Sequence, residues 1–320
     1  MDNNIHSGRA LLNVLIKNIT LLSKENKMLK KAAFYAKLGS RLIKKDVVNK
    51  EDFRKEYNKV SATYSSWLDE MGQFTVRIIN LEHVSEKKRL KVLDFACGTG
   101  YISKKLLEKD IDCQITAVDY SDKMLEKLKD INDSRIRIVH YDGIEYLKGT
   151  NEKFDLIFIG WALPYFNYKE VFKLFKEVLN PGGVVKIITN VQGTLSGIEN
   201  IFMKVMYKNQ KEIIKPMDIR FNLPKGKKGL IRWFNQYGFE ELEVEDGERT
   251  FVFNQADQLL KWLEKTGALA GTSSIFKDYD LIKNDLIEEI RKSLYKNGKY
   301  EINHRFVYGT FKPSLYKEEF

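Results

Sequence analysis

Apolar residues recur at two different periods along this chain, and the change of period outlines its elements. From Gly8 to about Lys45 they return every three or four residues with lysines between them, which predicts a basic, amphipathic helical arm. A second helical stretch, EDFRKEYNKVSATYSSWLDEM, follows it. Polar residues interrupt the most apolar early stretch, ALLNVLIKNITLL, so the pattern predicts no transmembrane segment.

Downstream of the second helical stretch, short apolar runs alternate with helical patterns. The apolar runs are KVLDFA, QITAVD, RIRIVH, FDLIFIG and GVVKIIT. Strands that alternate with helices in this way favour a parallel sheet covered by helices on both faces. We therefore predict an α/β fold with a doubly wound, Rossmann-like sheet.

The alternation changes after Thr189. Residues 193–229 are polar and irregular, which predicts an insertion outside the sheet. The elements predicted beyond it are a helix at LIRWFNQYG, strands at FEELEVE and RTFVF, helices at QADQLLKWLEKTG and DYDLIKNDLIEEIRKSL, and a last strand at EINHRFVYGTF. The predicted organisation is thus a helical arm over residues 1–50 and one α/β domain over residues 51–320.

Positive charge is concentrated at the start of the chain. The net charge is +10, and residues 1–50 carry eleven Lys or Arg and three acidic residues, whereas residues 51–320 are close to neutral. A near-neutral body disfavours a nucleic-acid partner, because binding to a phosphate backbone relies on clustered Lys and Arg. The start of the chain lacks the features of a secretory signal, so we expect a cytoplasmic protein.

The two cysteines and four histidines suggest neither a disulfide nor a metal site. In the predicted sheet, Cys97 and Cys113 lie at opposite ends of neighbouring parallel strands, roughly 15 Å apart at about 3.3 Å per residue. That distance is too long for a disulfide. No Cys or His spacing matches a metal-ligand pattern, so we predict no metal.

The stretch VLDFACGTGYIS, residues 92–103, combines an apolar strand with one acid and two glycines. Gly98 and Gly100 fall where the strand turns into a helix, so that the backbone can approach a ligand and the first amides of the helix can face it. A dinucleotide-binding loop uses the same geometry in the form G-x-G-x-x-G. Here the third glycine position is Ser103, which disfavours that alternative.

This stretch resembles motif I of the class I methyltransferases, whose cofactor is S-adenosyl-L-methionine. AVDYSDKML, IRIVHYDGIEYL, FDLIFIGWALPYF and EVLNPGGVVKIIT resemble the later motifs of that family in the same order, so the resemblance covers roughly residues 50–191. It implies a sheet of seven strands, mostly parallel, with an antiparallel last strand. The cofactor-binding residues that it implies are Asp94, Ala96, Gly98, Gly100, Asp119, Tyr120, Met124, Asp142, Gly143, Ile144 and Trp161.

Within that site the resemblance implies a role for each acid. Asp94 orients the loop and neighbours the amino end of the cofactor, Asp119 accepts hydrogen bonds from both ribose hydroxyls, and Asp142 binds the adenine amino group. Structural alternatives stay open, since Asp119 could cap the next helix and Asp142 could suit a turn for conformational reasons. Met124 and Ile144 could equally be core residues.

Aromatic residues are predicted on the side of the methyl acceptor. Tyr57 and Tyr64 lie in a segment that often folds over the cofactor in such methyltransferases, although their helical spacing also fits plain packing. Trp161 and Tyr165 follow the fourth strand, where the acceptor usually binds in this fold. Arg305 lies in a stretch similar in layout to the trans-aconitate and malonyl-carrier-protein methyltransferases. Its guanidinium suits a carboxylate, but on an alternating strand it could face solvent.

No catalytic base is assigned. Methyl transfer from an activated donor mainly requires alignment and the exclusion of water. A carboxylate acceptor needs no base, whereas an amine, phenol or carbon acceptor would recruit His140, His304 or a tyrosine. We expect His140 to be a buried structural residue and His304 to be either exposed or hydrogen-bonded.

The sequence thus predicts a methyltransferase that acts on a small-molecule acceptor in biosynthesis, through O-, N- or C-methylation. IGWALPYF lacks the Asn/Asp-Pro-Pro-Tyr and Pro-Cys motifs of enzymes that methylate nucleic-acid bases. The alternatives are an RNA or protein methyltransferase guided by the basic arm, and a non-catalytic module that binds the cofactor. The arm or the insertion could cover the acceptor, bind an acidic carrier protein, mediate a homodimer or lie on an anionic membrane surface. The arm could also be an ordinary solvated helix face.

Overall fold

The computed structural model describes residues 27–84, 89–217 and 223–314. Residues 1–26 of the predicted arm and residues 218–222 of the predicted insertion lie outside these ranges. The helices are α1 (Lys27–Ile43), α2 (Lys50–Val60), α3 (Ser65–Thr75), α4 (Tyr101–Leu107), α5 (Asp122–Glu126), α6 (Gly143–Gly149), α7 (Tyr168–Val178), α8 (Ile198–Lys208), α9 (Gly226–Asn235), α10 (Ala256–Lys265) and α11 (Tyr279–Leu294). The strands are β1 (Leu90–Phe95), β2 (Cys113–Asp119), β3 (Ile136–His140), β4 (Phe154–Gly160), β5 (Leu179–Asn190), β6 (Phe239–Phe253), β7 (Tyr295–Lys296) and β8 (Lys299–Pro313).

The described residues divide into two compact units, each built from several stretches of chain. The smaller unit contains residues 27–53, 197–217 and 271–293, and the larger contains residues 54–84, 89–196, 223–270 and 294–314. The sequence placed the arm apart from the α/β domain and did not predict that parts of both would share a unit.

The larger unit contains one sheet with the strand order β3-β2-β1-β4-β5-β8-β6. Strands β1 to β5 pair in parallel, and β8 runs antiparallel to both β5 and β6. This confirms the predicted, mostly parallel sheet with an antiparallel last strand. The two-residue β7, which the sequence did not predict, pairs only with β8.

The parallel strands form because both of their faces are covered. Six of the seven residues of β4 are buried, as a near-continuous apolar run predicts. On one face, the Phe172 ring of α7 stacks on the Phe234 ring of α9 at 3.9 Å, and Phe234 stacks on Phe311 of β8 at 3.8 Å. These stacks join two helices to the sheet in one apolar core.

The strand order reverses between β1 and β4, which lie side by side although two strands separate them in sequence. In open α/β sheets, ligands bind in the crevice outside the carboxyl ends of the strands at such a switch point. The loops that follow β1, β2 and β4 therefore lie where a ligand is expected.

Three predicted elements differ from the structure. The helical stretch after the arm is two helices, α2 and α3, and the strands FEELEVE and RTFVF are one strand, β6, with an irregular register between Glu241 and Glu243. The described residues of the stretch 193–229 lie outside the sheet as predicted, but they are not simply irregular, since they include α8 and the start of α9. The buried residues of α8 include Ile198, Ile201, Phe202 and Val205, a helical spacing hidden among polar neighbours.

The smaller unit contains α1, α8 and most of α11. The described part of the arm is helical, as predicted, and it is packed rather than solvated on all sides: Phe34 is buried and its ring meets Tyr207 edge-on at 5.4 Å. Ion pairs join α8 to α11, with Lys208 2.5 Å from Asp285.

Two further expectations concern cysteines and membrane helices. Cys113 begins β2 and Cys97 follows β1, and both thiols are free. Among the described residues, no helix combines the length and the apolar character needed to cross a bilayer.

Candidate functional site

The loop between β1 and α4 closely approaches the end of β2. Gly98 and Gly100 adopt the left-handed backbone region, with φ of +55° and +70°. Ala96 shares it at φ +54°, which is uncommon for a residue that has a Cβ. The backbone N–H of Gly98 donates to Oδ2 of Asp119 at 2.7 Å. The glycine pattern and the acid that the sequence singled out are therefore in direct contact.

Asp119 ends β2 and anchors two loops. Its Oδ1 accepts the N–H of Ser121 at 2.8 Å, while its Oδ2 accepts that of Gly98. Burial raises the pKa of Asp119, and the backbone hydrogen bonds oppose this shift. Each carboxylate oxygen has two lone pairs, so these bonds leave acceptor capacity for a further donor.

Asp94 in β1 is buried and only half satisfied. Its Oδ2 accepts hydrogen bonds from the N–H and Oγ of Ser103, at 3.1 and 2.6 Å. Its Oδ1 is buried and has no hydrogen-bond partner among the described residues. Burial raises the pKa of Asp94 to about 6. An unpartnered buried carboxylate oxygen is costly, which points to a donor supplied from outside the chain.

Ser103 is a residue whose role sequence reasoning missed. In the sequence, Ser103 indicated only that the loop is not of the dinucleotide-binding type. In the structure, its hydroxyl donates a hydrogen bond to Asp94, the acid that precedes the glycines. The signal was a hydroxyl residue near the start of the helix that follows the loop.

The loop after β3 places Gly143 against the β1 core. A Cβ at Gly143 would lie 2.7 Å from the ring of Phe95, so a side chain there would displace that ring. Asp142 caps α6, its Oδ1 accepting the N–H groups of Ile144 and Glu145 at 3.0 and 3.1 Å. The structural role considered for Asp142 is thus present, and its adenine contact stays a prediction.

Two other predicted cofactor residues contribute to packing. Met124 in α5 is 1% exposed, and its N–H is capped by Oγ of Ser121 at 3.1 Å. Ile144 packs on a core cluster of the larger unit that includes Phe95 and Leu147. Their contact with a cofactor stays a prediction.

Helix α2 lies against the loop after β2 through Asn58, which the sequence did not indicate. Oγ of Ser121 donates to Oδ1 of Asn58 at 2.6 Å, and Nδ2 of Asn58 donates to Asp122 at 2.8 Å. The guanidinium of Arg54 lies 5.7 Å from the centre of the Tyr120 ring. These contacts hold the predicted covering segment over the end of β2.

Six rings form a continuous group, which we call the aromatic cluster. Its members are Tyr57, Tyr64, Trp67, Trp161, Tyr165 and His304. They come from α2, α3, the segment after β4, and β8. Of the five residues predicted on the acceptor side, four belong to it, and the fifth is Arg305.

The tyrosines of the aromatic cluster connect it to Asp119. The hydroxyl of Tyr57 donates to the hydroxyl of Tyr165 at 2.7 Å, and the two rings are perpendicular. Burial is the main cause that raises the pKa of Tyr57 and of Tyr64, and the negative charge of Asp119 adds to both shifts. The cluster therefore begins beside the predicted cofactor acid.

Trp161 is held in a strained backbone conformation, with φ of +64°. Its N–H donates to the carbonyl oxygen of Ile188 at 2.7 Å, and its Nε1–H donates to Oγ1 of Thr75 at 2.9 Å. The ring of Trp161 meets Trp67 edge-on at 5.0 Å. Two hydrogen bonds and this packing fix the indole at the end of β4.

His304 lies on β8 at the far end of the aromatic cluster. It is 3% exposed, and its ring lies 5.5 Å from Trp161 and 6.0 Å from Trp67. Nε2 is 2.7 Å from Oδ1 of Asn190, whereas Nδ1 is buried without a hydrogen-bond partner among the described residues. Burial lowers the pKa of His304 to about 4.

Two residues lie elsewhere than predicted. Arg305 is half-exposed on β8 and pairs with Glu248 at 3.3 Å, so the structure does not bring it into the aromatic cluster. Because neighbouring strand residues face opposite sides, burial of His304 directs Arg305 away from it. His140 is exposed, and its Nε2 lies 3.2 Å from the carbonyl oxygen of Tyr120, so the prediction of a buried His140 is wrong.

One group of described residues has the spacing of metal ligands: Glu82, His83 and Glu243. All three are exposed, and exposed acidic groups are common without an ion. None of the three is a predicted site residue, and nothing else in the described chain points to an ion there.

Comparisons with known proteins agree with this geometry. A family model described as a methyltransferase domain matches residues 92–183. Over 160 residues the chain is 29% identical to the malonyl-[acyl-carrier protein] O-methyltransferase of Priestia megaterium, which covers 49% of this chain and 57% of that protein. Over 143 residues it is 29% identical to the demethylmenaquinone methyltransferase of Leptospira interrogans, which covers 41% of this chain and 57% of that one. The chain thus spans less than two thirds of the length of these curated relatives.

The fold agrees as well. A proposed methyltransferase from Bacillus halodurans C-125, whose crystal structure is known, aligns with a TM-score of 0.51 and 15% identity. The alignment covers 77% of this chain and 100% of that one. The matched residues 92–183 hold the glycine loop, Asp119 and the segment after β4. Residues 92–183 thus match a methyltransferase domain, and the curated relatives to which the chain is similar are methyltransferases as well.

Proposed function

We propose that this protein transfers the methyl group of S-adenosylmethionine to a small-molecule acceptor held against the aromatic cluster. The observation that carries the proposal is the half-satisfied Asp94 beside a glycine loop that is bonded to Asp119. A purely structural loop has no need of a buried carboxylate oxygen without a donor.

The residues present fit this cofactor. Oδ1 of Asp94 would accept a hydrogen bond from the ammonium group of the cofactor, for which a buried carboxylate is a strong partner. The remaining lone pairs of Asp119 would accept the ribose hydroxyls, and the left-handed loop lets the backbone approach closely. When bound, the cofactor supplies an activated methyl group on a sulfonium. The chain then has to align the acceptor and exclude water.

The aromatic cluster supports a small acceptor. Its six rings extend from the vicinity of Asp119 to His304, and the Tyr57–Tyr165 hydrogen bond joins α2 to the segment after β4. A cluster of rings over the site would exclude water during methyl transfer, and it would bind an apolar acceptor through ring faces and edges. A long polymer such as RNA or a protein would require these rings to stay apart.

The names of the relatives offer two acceptor classes. One acts on a malonyl group attached to an acyl-carrier protein, and the other on demethylmenaquinone. A free or carrier-linked small molecule is compatible with the aromatic cluster. An RNA or protein substrate, or a regulatory module without turnover, has no comparable support in the described residues.

The cofactor assignment is tested by Asp119→Asn, which keeps the shape of the side chain and removes its charge. Calorimetric titration with S-adenosylmethionine and with S-adenosylhomocysteine should show binding by the unmodified protein. The variant should bind each about 10- to 100-fold more weakly, since a hydrogen bond to a charged acceptor contributes about 1.5–3 kcal/mol and each tenfold corresponds to about 1.4 kcal/mol.

The matched control is Asp110→Asn, an exposed acid in the turn before β2. Its affinity for both ligands should equal that of the unmodified protein. Absence of heat with either ligand, or equal affinity in the Asp119 variant, would contradict the proposal.

Turnover is tested by incubation with a metabolite extract and methyl-labelled cofactor, followed by mass spectrometry. Label in a small molecule is the expected result. Label in RNA or protein would favour the macromolecular alternative. Binding of the cofactor without any labelled product would favour the regulatory module.

A further inference from the structure

We infer that Nδ1 of His304 is the group that binds the methyl acceptor, and that it does so by accepting a hydrogen bond from a hydroxyl or N–H of a neutral molecule. This inference deepens the proposed function and rests on it. It assigns a chemical class to the acceptor, which neither the fold nor the relatives establish for this chain.

The first step is the tautomer of His304. Oδ1 of Asn190 can only accept, so the 2.7 Å contact requires a hydrogen on Nε2. Burial lowers the pKa of His304 to about 4, so the ring is neutral near pH 7. A neutral ring with its hydrogen on Nε2 has a bare lone pair on Nδ1.

The second step is the surroundings of that lone pair. Nδ1 is buried and has no partner in the described chain, whereas the rest of the ring is packed against Trp67 and Trp161. A buried acceptor atom without a donor is unfavourable, so a donor from a ligand would be favoured there. Because Nδ1 is closed off from solvent, an acceptor reaches it only when rings of the aromatic cluster move apart.

The third step is what such a donor can be. A carboxylate offers only lone pairs at neutral pH and cannot donate to Nδ1. Arg305, the residue predicted to pair with a carboxylate, is directed away and bound to Glu248. A hydroxyl or N–H on a flat, apolar body satisfies both the lone pair and the rings, as in a phenol.

Histidine variants can separate this role from a structural one. The side-chain oxygen of asparagine can occupy the position of Nδ1, whereas the amide of glutamine reaches the position of Nε2 and can bond to Asn190. His304→Asn therefore keeps an acceptor for the ligand, and His304→Gln keeps the contact to Asn190. If His304 has only a structural role, His304→Gln should behave more like the unmodified protein. If His304 binds the acceptor, His304→Asn should do so.

The experiment uses the full chain loaded with S-adenosylhomocysteine, with phenol and benzoate as matched probes. Nitrogen NMR of labelled histidine should show hydrogen on Nε2 and none on Nδ1 at neutral pH. Phenol should shift the Nδ1 resonance, and benzoate should not. Followed through the Trp161 indole resonance, phenol binding should be about 3- to 10-fold weaker in His304→Gln and within about twofold of the unmodified protein in His304→Asn.

Several results would overturn the inference. The first is a hydrogen on Nδ1. The second is an Nδ1 resonance that does not shift with phenol, or that shifts equally with benzoate. The third is equal phenol binding by the two variants. Calorimetry with S-adenosylhomocysteine on the same three proteins keeps the proposals distinct. If none of them binds it, the proposed function fails. If all three proteins bind S-adenosylhomocysteine equally but phenol gives one of these contradicting results, only the role of His304 fails.

Discussion

Gly100 is subject to two independent constraints at the scale of a single residue. Its φ of +70° lies in the left-handed region, where a Cβ costs about 1–2 kcal/mol. A Cβ built there would also lie 2.0 Å from a methyl carbon of Leu128, which is fully buried. Backbone conformation and packing therefore both require glycine at this position.

Replacing Gly100 by alanine should lower the free energy of unfolding by about 2–4 kcal/mol, the combined cost of the backbone conformation and of overpacking at Leu128. Chemical denaturation followed by circular dichroism measures it. The matched change is Gly149→Ala, at the end of α6, where no atom lies within 4 Å of the added Cβ. That variant should stay within about 1 kcal/mol of the unmodified protein. Equal losses in the two variants would refute this account.

The site residues differ in how far sequence predicts them. Asp94, Gly98 and Asp119 follow from the order of a strand, a glycine loop and a second strand, because the carboxyl ends of parallel neighbours meet at one edge. His304 and Arg305 depend on which face of β8 is buried, and polar residues occur on both faces of that strand. Only packing against Trp67 and Trp161 decides that His304 faces inward.

At the scale of elements, β5 places a lysine side chain in the buried interior next to the sheet. Lys186 is fully buried, and its Nζ donates to Oδ1 of Asn80 at 2.5 Å and to Oγ1 of Thr310 at 3.3 Å. Burial lowers the pKa of Lys186 to about 8, and the charges of Glu243 and Glu82 only partly oppose that shift. The strand was predicted from its apolar flanks, which do not indicate how a central lysine would be satisfied.

The folded pKa of Lys186 lies below the ordinary value, so the unfolded chain binds more protons between about pH 8 and pH 10.5. The lysine's contribution to stability is therefore constant below pH 8 and rises with pH across that window. In Lys186→Met this rise is absent. The unfolding free energy of the unmodified protein minus that of the variant should grow by on the order of 3 kcal/mol from pH 7 to pH 10.

The same subtraction for Lys299→Met, which removes an exposed lysine at the start of β8, should show no comparable rise. Denaturant titrations at several pH values provide both differences, and effects of the tyrosines cancel because they are common to all three proteins. A flat difference for Lys186 would show that its charge is not buried in the folded state.

At the scale of the whole molecule, positive charge is localised in the sequence of α1 and the residues after it. Residues 27–50 contain eight Lys or Arg and one acidic residue, whereas residues 1–26 contain three Lys or Arg and two acidic residues. Several of these lysines, including Lys30, Lys31 and Lys37, are exposed. Such a surface attracts polyanions without sequence preference.

Changing Lys30, Lys31 and Lys37 together to glutamate should leave methylation of a small-molecule acceptor unchanged, because none of them belongs to the site. It should weaken retention on an immobilised polyanion and reduce the dependence of log affinity on log salt by up to about three. The control set consists of the exposed lysines Lys109, Lys129 and Lys261. A fall in acceptor turnover confined to the first set would indicate a macromolecular, acidic substrate or carrier.

The sequence by itself determined the parallel sheet and the positions of the glycine loop and of the two acids beside it, Asp94 and Asp119. These depend on local period and on the order of strand, loop and helix, which short stretches of chain encode. Only the tertiary structure decided that α1 packs with α8, that Trp161 and His304 share a cluster with the tyrosines of α2 and α3, and that Arg305 faces away. Each of these depends on which face of an element becomes buried against residues far away in sequence, and no local pattern fixes that choice.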